Sequence, residues 1–465
     1  MPLGPTSYGD SPYQTLSAFA GNPNLISLDN LIGEGWLKGS DLTDCPRFPI
    51  YEVDYGWVIQ YHDQKLKLAY RGLKKLAKQS QIEAFESFCE KNDFWLKDFA
   101  LFIALKNAHG SRAWIEWDKK YILRDEKALA QATQEFADQI EEEKFRQWVF
   151  FTQWFKLKAY ANEKGIQIFG DMPIFVAHDS ADVWANQSEY FLDELGNTTV
   201  IAGVPPDYFS LTGQRWGNPL YQWDKMKENG YAWWIQRIQS SLELVDYVRV
   251  DHFRGFDEYW EIPAEEETAI KGEWKTGPKH DFFHKVYEQL GDLPFIAEDL
   301  GIITPGVEAL RDDFNLPGMK VLQFAWSTPD NVFLPHNHVP NCVVYTGTHD
   351  NNTTLGWWIE EAGEQRNFMK DYLGQDIQEP VWTMIRVALR SPAHTAIIPM
   401  QDVLGFGSDT RMNTPGKLGG NWKWRFHMGE FDNPNKDILA HLTWLSQRRP
   451  DQRERHYGDP AVVQD

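Results

Sequence analysis

Three short apolar runs, far apart in the chain, each end at a carboxylate. They are Tyr247-Val248-Arg249-Val250-Asp251-His252, Phe295-Ile296-Ala297-Glu298-Asp299, and Cys342-Val343-Val344-Tyr345 running on through Thr346-Gly347-Thr348 to His349-Asp350. Runs of this length and β-branched or aromatic content read as buried strands. One acidic residue after a strand is ordinarily a cap for the next loop. Three such ends in one chain make that reading the weaker one. Charged groups at the C-terminal ends of parallel strands are where α/β barrels keep their chemistry. The feature therefore predicts an α/β fold of the (β/α)8 TIM-barrel type, with Asp251, Glu298 and Asp350 as candidate catalytic residues.

Carboxylates in this pattern suit glycosyl transfer. One attacks the anomeric carbon, and a second, kept protonated, gives its proton to the leaving oxygen. The negative charges of Asp251 and Asp350 raise the proton affinity of a nearby Glu298. Arg249 stands two residues before Asp251, so on a strand both side chains point to one face. That places a cation where it keeps Asp251 ionised.

The motifs R-V-D-H-F-R (249–254), A-E-D-L-G (297–301) and T-H-D-N-N (348–352) resemble the nucleophile, acid/base and third-carboxylate regions of α-amylase-type enzymes. With G-V-P-P-D-Y-F-S (203–210) and G-Q-R-W-G-N-P (213–219), the wording resembles glycoside hydrolase family 77, the 4-α-glucanotransferases or amylomaltases. The resemblance runs from the first residues to about Trp424. It implies a retaining transfer between α-1,4-glucans, with Asp251 as nucleophile, Glu298 as acid/base and Asp350 on ring hydroxyls. It also implies sugar-site positions at Ser11, Tyr13, Asp171, Gln214, Trp216, His252 and His349. The preference for transfer over hydrolysis rests on the resemblance, since both reactions use the same carboxylates.

The 465 residues, 42% hydrophobic, are enough for a large core. The net charge of -21 leaves no basic surplus for phosphates, which argues against a nucleic-acid or acidic-membrane partner. A neutral glucan fits, and no obligate protein partner is implied. Cys45, Cys89 and Cys342 are few, odd in number and widely spaced, which suggests a reducing, cytoplasmic setting and no metal cluster. No signal peptide or transmembrane run is present in the sequence. No cofactor is expected. His336 and His338 lack a third ligand, so they read as solvated loop histidines and no metal is expected.

Along the chain, Met1–Leu3 reads as the end of a strand. The resemblance places a strand-helix unit with an H-P-T-S-L-P-like motif upstream, so the expectation is a barrel lacking its first such unit. Residues 25–165 read as a mainly helical inserted subdomain, leaving 1–24 and 166–465 as the catalytic barrel. Leu66, Ala69, Leu73 and Leu76 step at helical spacing, and Gly165 is the expected C-cap after the aromatic run Trp148 to Tyr160. Strands are expected at Ile166–Phe169, Lys320–Phe324 and Thr395–Pro399 as well. Asp171 follows the first of these. Phe324, at the end of the second, is a candidate ring contact. Gly203–Pro219 reads as a long functional loop, in which Asp207, Tyr208 and Phe209 form a lid over bound glucan.

Overall fold

The computed structural model describes residues 1–206, 210–417 and 419–448. The chain separates into two compact units, Met1–Pro49 with Val53–Pro317, and Ile50–Glu52 with Gly318–Asp465.

The first unit opens with helices. The long ones are Tyr55–Leu76, Gln79–Lys91, Asp93–Ala108 and Ala137–Glu163. Asp54 caps the first of them by accepting from the Trp57 amide. Leu66, Ala69, Tyr70 and Leu73 form its buried stripe. Asp93–Ala108 is buried on several sides, through Trp95, Leu96, Phe99, Phe102 and Leu105 among others, so it runs through the packed interior. In Ala137–Glu163 the aromatics Phe145, Trp148, Phe150 and Phe151 are core, whereas Tyr160 is exposed. Gly165 ends this helix at φ 74°, and the Ile166 amide reaches back to the Ala161 carbonyl at 2.9 Å.

Seven strands follow in this unit among the described residues. They are β1 (Phe169–Pro173), β2 (Val200–Val204), β3 (Gln214–Pro219), β4 (Tyr247–Asp251), β5 (Glu258–Pro263), β6 (Glu273–Thr276) and β7 (Phe295–Ala297). β1, β4 and β7 make a parallel sheet in that order. Its register sets Asp171 opposite Arg249 and Val250 opposite Ala297. Asp246 fixes the start of the pairing, because its carboxylate accepts from the Ile168 amide at 2.7 Å. In β4, Val248 and Val250 point into the core, which leaves Arg249 and Asp251 together on the other face.

The second sheet of this unit, antiparallel in the order β3-β2-β5-β6, is where the sequence reading needs correction. Gly203–Pro219 is not one long loop: its two ends are strands. Gly203 marks the closest approach between them, since a Cβ there would meet the Gln214 carbonyl oxygen at 2.3 Å. Two more corrections concern strand ends. β1 begins only at Phe169, so Asp171 lies within the strand and not after it, and Met1–Leu3 belongs to no strand.

The second unit holds β8 (Gly318–Val321), β9 (Cys342–Tyr345) and β10 (Thr395–Ile397) in a parallel sheet, order β10-β9-β8. The expected strand Lys320–Phe324 stops early, and Leu322–Phe324 turns as a 3-10 helix. The expected strand at Thr395–Pro399 ends at Ile397. The helix Pro380–Arg390 covers this sheet region, with Met384 and Ala388 in one buried cluster with Cys342 and Val344, and Ile385 in another against which Ala396 packs. His338 is not solvated: it is buried, with Nδ1 2.7 Å from Ser391 Oγ and Nε2 2.8 Å from the Phe333 carbonyl oxygen. Among the described residues, no helix is long and apolar enough to cross a membrane.

Candidate active site

The first unit gathers its site residues around Arg249. The cross-strand register brings Asp171 beside the guanidinium, so Nε and Nη2 donate to its two carboxylate oxygens at 3.1 and 2.8 Å. The strand period brings Asp251 to the same side, and Nη2 also donates to its Oδ1 at 2.8 Å. Tyr13 completes the group. Its hydroxyl donates to Asp171 Oδ2 and accepts from Arg249 Nη2 at 3.2 Å. Burial, reinforced by the Asp171 charge, holds the Tyr13 phenol well above its ordinary pKa, so it stays a donor. Asp171 is shut in, with its side chain 4% exposed, whereas the Asp251 side chain is 29% exposed. The cation therefore bridges a buried carboxylate and a more open one.

Glu298 stands just past the end of β7. The His252 amide donates to its Oε2 at 2.8 Å and the Leu300 amide to its Oε1 at 2.9 Å. The donor is the residue next to Asp251, so the end of β4 and the acid group are tied through one peptide. Burial pushes the Glu298 pKa up. Arg249 and the two amides oppose that shift without cancelling it. Its neighbour Asp299 has a different task, accepting from Arg311 Nη1 at 2.6 Å in the interior.

His252 sits at φ 53°, a strained backbone for a non-glycine residue. Its ring lies 4.7 Å from the Trp216 ring, edge to face, and its Nε2 is buried with no hydrogen-bond partner among the described residues. Burial, with Arg254 adding, pushes its pKa down to about 3, so the imidazole is neutral. Trp216 Nε1 donates to Gln214 at 3.1 Å, so both β3 residues and His252 form one edge of the site. Ser11 is a turn residue whose hydroxyl accepts from the Tyr13 amide at 3.2 Å. Asp207, Tyr208 and Phe209 lie outside the described residues.

The second unit carries Phe324, His349 and Asp350. The Asp350 side chain is 47% exposed, with His349 Nε2 3.5 Å from Oδ1. Asn413 Nδ2 donates to the same oxygen at 2.6 Å, and Arg411 Nη2 donates to the Asp350 backbone carbonyl at 2.7 Å. Sequence reading missed Asn413 and Arg411. Their partners lie some sixty positions away, and a polar pair in R-M-N-T-P gives no local sign of them. Phe324 is partly exposed and packs against the Phe333 ring at 5.7 Å. Among the described residues, no group of three or more His, Cys, Asp or Glu side chains is placed to hold a metal ion.

Chemically, the arrangement offers a partly open carboxylate held by a cation and, tied to it through one peptide, a buried carboxyl group whose proton affinity burial raises. The sequence signature of glycoside hydrolase family 77, described as 4-alpha-glucanotransferase, matches residues 1–430. The chain is 51% identical over 457 residues to a 4-alpha-glucanotransferase of Thermus thermophilus, covering 96% of this chain and 91% of that one. It is 49% identical to the 4-alpha-glucanotransferase of a Synechocystis species, with coverage of 97% and 90%. Among solved structures, it resembles the amylomaltase from Streptococcus agalactiae in complex with acarbose, at TM-score 0.92 and 40% identity, covering 96% and 90% of the two chains.

Proposed function

The chain belongs to the 4-alpha-glucanotransferase family, glycoside hydrolase family 77, and from that premise we propose that it moves a segment of an α-1,4-glucan onto the 4-hydroxyl of glucose or another glucan by a retaining double displacement. Asp251 attacks the anomeric carbon as Glu298 protonates the departing glycosidic oxygen. A covalent β-glucosyl-enzyme forms and the reducing-end fragment leaves. The acceptor 4-hydroxyl then attacks while Glu298 takes its proton, and the two inversions restore the α configuration. The observation that carries this reading is the Arg249 contact to Asp251 beside the peptide that donates to Glu298.

The balance at Glu298 suits both steps. Burial favours the protonated acid needed first, and the two amides stabilise the carboxylate left behind. His252, His349 and Asp350 are assigned to ring hydroxyls, and Asp350 favours the distorted ring of the transition state. Tyr13, Asp171, Gln214 and Trp216 line the sugar site in the same proposal, and the acarbose bound to the S. agalactiae amylomaltase supports a glucan-like ligand. The (β/α)8 reading with the inserted segment 25–165 belongs to the proposal too, supported by the parallel register of each three-stranded sheet.

Two measurements check it. Maltotriose incubated with the purified protein is expected to give glucose plus a ladder of longer chains. A steady rise in reducing ends without longer chains contradicts transfer. The pH profile supplies the second. Glu298 must carry its proton in the first step, so kcat/KM falls as pH rises through its pKa. Because burial raises that pKa above 4.5, the alkaline limb is expected above the ordinary glutamate range. A limb within that range contradicts the acid assignment.

A further inference from the structure

Asp402 lies in the short helix Met400–Leu404 and is 1% exposed. Its three donors are all neutral. Oδ2 accepts from the Thr346 and Thr354 hydroxyls at 2.6 Å each, and Oδ1 accepts from the Thr354 amide at 2.8 Å. Burying a carboxylate against neutral groups is unfavourable compared with an apolar side chain of like volume, so packing alone does not account for an acid here. What a carboxylate provides here, although burial pushes its pKa up, is acceptor capacity on both oxygens. Three converging N–H and O–H groups call for that.

The partners are the two ends of one loop. Thr346 follows the last residue of β9, and Thr354 begins the helix Thr354–Gly356. Both are fully buried. Between them run residues 347–353, which include His349 and Asp350. One carboxylate thus joins strand end to helix start and sets the span of the loop from behind. The chain beyond Asp402 grips the same loop again. Arg411 and Asn413 hold the Asp350 carbonyl and carboxylate, and the Asn413 amide donates to the His349 carbonyl at 3.0 Å. Gln323 Nε2 adds a bond to the Asn352 carbonyl at 2.9 Å. With nearly half of its side chain in solvent, Asp350 is not held by packing, so its placement depends on this framework.

We infer that Asp402 is a positioning residue for the reaction: by tying Thr346 to Thr354 it fixes the loop on which Asp350 meets the sugar. The inference rests on the role proposed above for Asp350. A displaced Asp350 weakens contacts made chiefly in the transition state, so the loss falls on kcat and not on KM.

The test compares Asp402→Asn, Asp350→Asn and the double variant, with kcat and KM measured on maltotriose. Asp402→Asn is expected to lower kcat by roughly 10- to 100-fold, the scale of an ångström of misplacement, with KM changed less than about threefold. On the Asp350→Asn background the same change is expected to cost less than about threefold, because two residues acting through one group are not additive. Thr346→Val and Thr354→Val, which remove a hydroxyl at similar volume, are expected to lower kcat, and the Thr→Ser variants to restore it. This pair decides the matter if Asp402→Asn does not fold. A full kcat in Asp402→Asn or in both Val variants overturns the inference. So does an equal loss on both backgrounds, which would mean that Asp402 acts only on stability. If Asp350→Asn itself keeps full activity, the assignment of Asp350 fails first and the inference falls with it.

Discussion

Asp251→Asn is expected to lower transfer from maltotriose by about a thousandfold or more, the scale seen when a nucleophile is removed from a covalent mechanism. The amide keeps the shape of the carboxylate but cannot attack the anomeric carbon. The fold should tolerate the change. Arg249 retains two bonds to Asp171, and Asp251 is partly open to solvent. Glucan binding, measured by calorimetry with maltotriose, is expected to stay within about tenfold, since attack and not ground-state contact is lost. Turnover within tenfold of the parent would remove Asp251 from the mechanism.

Glu298→Gln is expected to lower transfer by about 10²- to 10⁴-fold, the usual contribution of a general acid and base. The loss should depend on the leaving group. A sugar alkoxide needs a proton to depart, whereas fluoride does not. A glycosyl fluoride is therefore expected to form the intermediate in the variant at a rate much nearer the parent's. The substitution also has a structural cost. Glutamine offers one acceptor where the carboxylate served both the His252 and Leu300 amides. One of those donors then faces an NH2 group, a penalty of about 1–3 kcal/mol. A thermal melt beside the kinetics separates that effect from chemistry. An equal loss with fluoride and sugar leaving groups contradicts the acid role.

The strand ends were legible because their signal is local. β4, β7 and β9 are short apolar runs, with a carboxylate as the last residue of β4, directly after β7 and five residues past the end of β9, and each formed where the pattern put it. What the sequence hid is pairing at a distance. Asp171 meets Arg249 only because β1 and β4 align in one register, and no spacing announces a partner 78 residues away. The same holds for Asn413 on Asp350 and for Asp402 behind Thr346 and Thr354. Local composition also misled. Glycines and prolines between Gly203 and Pro219 suggested one loop, yet β2 pairs with both β3 and β5, so tertiary partners overrode weak strand propensity. Leu322 to Phe324 continues the apolar run of β8 with no glycine or proline to mark the turn.

The central claim is that Asp251 becomes covalently glycosylated. The direct measurement is mass spectrometry of the Glu298→Gln variant after exposure to an α-glycosyl fluoride and proteolysis. Without its base, the variant resolves the intermediate slowly. The account predicts one added glycosyl group on the peptide that contains Asp251, and none in the Asp251→Asn double variant. An adduct on any other residue, or fluoride release without an adduct, contradicts it.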